Sequence, residues 1–269
     1  MVSLLSSVCP IKKYSIEHSF VPLICSSESF VISYDEIPRP LVRLFNSHSN
    51  QVMCLYLPTM LVDICYSSEF DSFVLLSTTA IYKLNPSIGT IESIDNYELL
   101  KENRSMSSIC STNDRRLLIL YRFGEYLDTY PKGKRIWKRR HLCDSISEDI
   151  FLIRSSKSKD CLVGLLIVEW NGTWRVDIFS SSMHKLHSGF RFTGWTRETW
   201  LSDWSPLQCW FVGSTHRVLI DTQGQPVHIL DHRQDSPSLI LNMTWMSNSE
   251  DNRIKMIVTR ERTSLTFFK

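Results

Sequence analysis

The chain has 269 residues, 43% of them hydrophobic and 22% charged, which is enough apolar matter for one large all-β domain or two small ones. Thirty Lys and Arg against 28 Asp and Glu leave a net charge of +2, so no overall field favours nucleic acid, a membrane surface or an acidic substrate. Eight cysteines are scattered without the close spacing of a disulfide scaffold or a zinc site; they read as reduced core thiols, and the expected location is intracellular, cytoplasmic rather than nuclear.

The N-terminal MVSLLSSVCPIKK has no positive region before its short apolar run and meets Pro10 at once, so no signal peptide is expected. No run approaches the ~18 apolar residues of a membrane helix, and no membrane partner is expected. Further on, Ile24-Cys25-Ser26 ends one apolar run, and Phe30-Val31-Ile32 follows after a polar break. The stretch 61–94 then packs four apolar runs, Leu61–Cys65, Phe73–Leu76, Ala80–Leu84 and Ile88–Ile94, between turn residues such as Asn85-Pro86-Ser87. Strands so closely spaced form an antiparallel meander. A lone meander cannot cover both of its faces, so further copies must stack against it.

Those copies recur. Ile109-Cys110-Ser111 repeats the run that ends at Ile64-Cys65, and weaker echoes end near Arg154, Trp204 and Trp245. Measured from Cys25 the steps average 44 residues, the length of a four-stranded propeller blade. Hairpin signals fall where this reading needs them, with Asn171-Gly172 between two apolar runs and Asp221-Thr222-Gln223-Gly224 before Pro226–Leu230. The sixth unit has three strands, at 239–245, 254–259 and 264–268. Its fourth is expected from Ile11–Ile16, which would close the ring and remove an open edge. The fold expected is all-β: a six-bladed β-propeller of four-stranded antiparallel blades, one domain over 1–269, with the last blade closed by the N-terminal strand.

The segments VDICYSS, FVLLS, IYKLNP and GTIESI, with the later VLIDTQGQPVHIL, resemble blades of the broad WD40, NHL and YVTN-type propeller superfamily. The resemblance implies the fold; it carries over no family's functional residues.

Three local features stand out. Lys132 to His141 holds six basic residues and Trp137. Lys134, Arg135, Lys138 and Arg139 suit phosphates, and Trp137 offers a stacking face to a base; a charged outer strand accounts for the same residues. Trp195, Trp200, Trp204 and Trp210 crowd one stretch with Arg191 and Arg197, a composition typical of interface hot spots and equally of inter-blade packing. The first strands of the units offer Asp63, Asp203 and Asn242, with Asp149 near another, as groups for a channel-mouth site. The pairs His184/His187 and His228/His232 read as surface histidines, because strand geometry does not let either pair converge on an ion.

The function expected from these features is a non-catalytic scaffold binding a protein or peptide partner through rim loops, with Trp195, Arg197 and Arg191 as contacts. It is expected to be a monomer without cofactor, metal or catalytic residue. Two alternatives stand beside it: an RNA-binding propeller using 132–140, and a metal-dependent, lactonase-like hydrolase with its site at the central channel.

Overall fold

A computed structural model of the chain describes residues 10–16, 23–94, 105–114, 116–122, 125–130, 137–144, 146–156, 161–196, 199–205, 208–213, 217–230, 242–247, 254–261 and 264–268. The first strand, β1 (Pro10–Ser15), stands apart from the blade that follows it. Blade one is β2 (Ile24–Ser26), β3 (Phe30–Asp35), β4 (Leu41–Asn46) and β5 (Gln51–Tyr56); blade two is β6 (Leu61–Ser67), β7 (Ser72–Ser77), β8 (Ile81–Asn85) and β9 (Thr90–Ser93). Blade three comprises β10 (Met106–Ser111), β11 (Leu117–Tyr121), β12 (Tyr126–Tyr130) and the short β13 (Trp137–Lys138). Blade four comprises β14 (Glu148–Ser155), β15 (Val163–Glu169), β16 (Trp174–Phe179) and β17 (Lys185–His187). Blade five is β18 (Trp200–Trp204), β19 (Trp210–Gly213), β20 (Arg217–Ile220) and β21 (Pro226–Leu230), and blade six holds β22 (Asn242–Ser247), β23 (Ile254–Arg260) and β24 (Ser264–Phe268).

Each blade is a four-stranded antiparallel sheet, and the first strand of each neighbours the first strand of the next all the way round. The molecule is a six-bladed β-propeller. Burial follows radius. The second strands are buried on both faces, as in β7 (SFVLLS), β11 (LLILY) and β19 (WFVG), because a sheet clamped between neighbouring blades has no solvent face. Hence these strands read as continuous apolar runs and not as alternation. The outermost strands β5, β9 and β17 are largely exposed.

Turn chemistry matches the local sequence. Gly172 and Gly224 take φ of +83° and +76° in the hairpins that join β15 to β16 and β20 to β21, a conformation that costs glycine least. Asp221 Oδ1 accepts from the backbone N–H groups of Gln223 and Gln225 inside the second turn.

The ring closes as expected. β1 pairs with β24, so the fourth strand of blade six comes from the other end of the chain. Tyr14 packs on Phe45 and Phe267 at 4.9 and 5.8 Å between ring centroids. Across the same seam the buried Arg260 of β23 donates to Asp35 of β3 at 3.2 Å, and Asp35 also holds Arg43 at 2.7 Å. Of the strand expected at 239–245, the part from Asn242 is β22, and residues 231–241 lie outside those described.

Candidate active site

The first strands of five blades meet in a small cavity on the propeller axis, at their C-terminal ends. Its floor carries the buried thiols of Cys25, Cys65 and Cys110, one from each of the first three blades. At the same phase of the repeat, blade four supplies Arg154. Ser26, Ser111 and Ser155 follow these residues in the chain and line the wall with Tyr66, and blade five contributes Asp203.

Arg154 is the electrostatic centre. Its two terminal nitrogens grip Asp63 of blade two, Nη1 to Oδ2 at 2.8 Å and Nη2 to Oδ1 at 2.7 Å. Nη1 donates as well to the Ile153 carbonyl at 2.7 Å. Asp63, fully buried, accepts further bonds from Ser108 Oγ at 2.6 Å and the Ile109 N–H at 2.9 Å. One ion pair therefore joins blades two and four across blade three. Burial works against the Arg154 charge, but the carboxylates of Asp63 and Asp203 outweigh it and raise its pKa. The remaining edge of the guanidinium, Nε–H and the second Nη2–H, makes no hydrogen bond among the described residues.

Asp203 is half-buried, and its charge acts on both Arg154 and Cys65. The one side-chain contact to its carboxylate among the described residues is Thr244 Oγ1, at a long 3.3 Å. The thiols are inert by contrast. Burial raises the Cys65 pKa well above its ordinary value and pushes Cys110 up to about 12, so neither is a thiolate near neutrality.

Among the four residues offered for a channel-mouth site, the structure brings only Asp203 to the cavity. Asp63 lies beneath it, locked to Arg154. Asn242 Oδ1 accepts the Met243 N–H at 2.8 Å, and Asp149 pairs with Arg139. No three His, Cys, Asp or Glu side chains converge as metal ligands among the described residues. A divalent cation does not fit this donor set, since the guanidinium already occupies the buried carboxylate. In the sequence Arg154 stands out only as the end of a weak repeat. The signal was present: the phase that carries Cys in three blades carries Arg in the fourth.

The other expected contacts sit elsewhere. Arg191 is exposed and donates to Glu169 at 2.7 Å. Trp195 is half-buried, edge-on to Phe151 with ring centroids 5.5 Å apart, and its backbone N–H donates to the Gly172 carbonyl at 3.1 Å. Trp137 is half-buried against the core between blades three and four, Lys138 is exposed on β13, and Arg139 is held by Asp149. Arg197, Lys134 and Arg135 lie outside the described residues. Trp200 and Trp210 are buried between blades, as packing predicts.

No family model and no curated protein matches the chain. Solved structures do: 809 chains match it, so the architecture is a widely shared one. One of them is a streptogramin B lyase structure, which aligns over 96% of this chain and 96% of its own with a TM-score of 0.60 and 10% identity. At that identity the likeness establishes the fold. It also corrects the expectation of a non-catalytic scaffold binding a protein or peptide through rim loops. An enzyme is built on the same frame over nearly its whole length, so the architecture is no ground for a scaffold. Arg154 and Asp203 meet at the channel mouth, while Arg191 is paired with Glu169 and the Trp195 backbone is bonded to Gly172 of blade four.

Proposed function

We propose that the chain is an enzyme whose site is the mouth of the central channel, and that it cleaves an ester or lactone by a base-initiated reaction. The observation that carries this reading is the meeting of Asp203 and the unengaged edge of Arg154 in one cavity. Asp203 takes a proton from the substrate or from a water molecule. The water oxygen adds to the carbonyl carbon, or a carbanion forms beside the carbonyl, and negative charge builds on the carbonyl oxygen, where the Nε–H and Nη2–H of Arg154 stabilise it. The ester C–O bond then breaks, and the departing oxygen takes the proton back from Asp203. Asp63 keeps the guanidinium in place, so little reorganisation is needed as that charge develops. The likeness in fold to a lyase supports an enzyme, and the donor set favours chemistry carried by the chain's own residues.

Purified protein incubated with a panel of lactones and linear esters, followed by mass spectrometry, tests the reading. A ring-opened product heavier by one water marks hydrolysis, and one of unchanged mass marks elimination. Asp203→Asn should lower turnover by about 10²–10⁴-fold while the protein stays folded. Turnover that survives Asp203→Asn undiminished would overturn the proposal.

A further inference from the structure

The hydroxyl groups at the mouth have their protons committed to the protein. Ser26 Oγ donates to the Trp245 carbonyl at 2.6 Å, Ser111 Oγ to Ser67 Oγ at 3.2 Å, and Ser155 Oγ to the Ser111 carbonyl. The Tyr66 hydroxyl donates to Asp71 Oδ1 at 2.6 Å. Thr244 has one proton and two acceptors, Ser26 Oγ at 2.7 Å and Asp203 Oδ2 at 3.3 Å, and the shorter contact takes it. What these groups turn to a ligand is lone pairs. The one strong donor left among the described residues that line the cavity is the free edge of Arg154.

Charge adds a second constraint. Arg154 is neutralised by Asp63 at 2.7 Å, so the charge left over at the mouth is the single negative charge of Asp203. An anionic substrate would meet a carboxylate with no compensating cation.

We infer that the substrate is an uncharged ester or lactone carrying O–H or N–H groups close to its reacting carbonyl, and that the site rejects anionic analogues. The donors sit on the lone pairs of Ser111 and Ser155, the carbonyl oxygen on Arg154, and Asp203 serves for proton transfer. The inference rests on the mouth being an active site, and it adds the chemical class that the mouth accepts.

Thermal shift separates the two claims because it reads binding without turnover. Three ligands sharing one ring are compared at equal millimolar concentration and ionic strength: a hydroxylated lactone, its O-methylated counterpart, and a counterpart bearing a carboxylate. The hydroxylated lactone should stabilise the protein, and the methylated one should bind at least about fivefold more weakly for each donor lost. The carboxylate form should give no shift with the wild type and gain one in Asp203→Asn, which lacks the opposing charge. Methylated or anionic ligands binding as well as the hydroxylated one would overturn the inference, as would no shift with any of the three. Selective binding without turnover of any ester would overturn the catalytic proposal and leave only the selectivity, as that of a binding site. Turnover without that selectivity would do the reverse.

Discussion

At the scale of single residues, Arg154 decides what the channel mouth is. A guanidinium with 5% side-chain exposure is tolerated there because Asp63, with none, meets it end-on with two bonds. Taking both charges out of water is costly, and their attraction offsets that cost only while both are present. Asp63→Ala should therefore destabilise the protein by about 3–5 kcal/mol, measured as a lowered midpoint in urea unfolding. Asp63→Ala, Arg154→Leu in combination should recover much of that loss, because no buried charge is then left alone. A single variant of unchanged stability would show that the pair does not form. The sequence alone marks Asp63 as an acidic residue in an inner strand but cannot pair it with Arg154, since the two lie 91 positions apart. Asp203 reads identically in sequence and yet faces the cavity. Two aspartates with the same local signal thus have opposite fates.

At the scale of elements, strand β1 shows how far local pattern reaches. The run Pro10–Ser15 is a weak strand on its own, exposed on alternate residues. It was legible as the closing strand because the last unit is one strand short, a count that needs no tertiary information. Its worth comes from contacts it makes only in the ring. It covers the edge of β24, sends the Tyr14 hydroxyl to the Ser49 carbonyl at 2.7 Å, and seats Lys12 on Asn50 at 3.0 Å. Deleting residues 1–15 would leave an uncovered edge beside Phe45 and Phe267. The expected result is a Tm lower by more than about 5 °C and a greater tendency to aggregate, read by calorimetry and light scattering; an unchanged Tm would show that β1 is dispensable. The segment around Trp195 was harder to read. Aromatic and arginine content is the same for an interface as for packing between blades, and its ties to Phe151 and Gly172 appear only in three dimensions.

Over the whole molecule, the radial arrangement sets the pH response. Neighbouring blades pack on both sides of each sheet, so thiols between them are largely removed from water. Burial holds Cys110 at about 12 and Cys209 at about 11, both from an ordinary 9.0. Between about pH 9 and those values the unfolded chain releases thiol protons that the native state keeps. The unfolded state then binds fewer protons, and stability falls as pH rises. A fully buried thiol such as Cys110 contributes a loss of about 1.4 kcal/mol per pH unit in that window and none below it. Urea midpoints should hold steady up to about pH 9 and decline above it, less steeply in Cys110→Ala. Identical slopes for the two proteins would show that Cys110 is not buried as described.

The sequence by itself determined the architecture. Strand number, blade length, the doubly buried second strands and the closing strand follow from short-range alternation of apolar runs and turn residues, which act over a few positions and repeat six times. The functional centre was beyond that reach. Cys25, Cys65, Cys110, Arg154 and Asp203 come from five separate blades and meet only because the ring brings its inner strands to one axis. Whether a carboxylate there is locked beneath a guanidinium or left facing the opening depends on distances across that axis, and no local pattern encodes them.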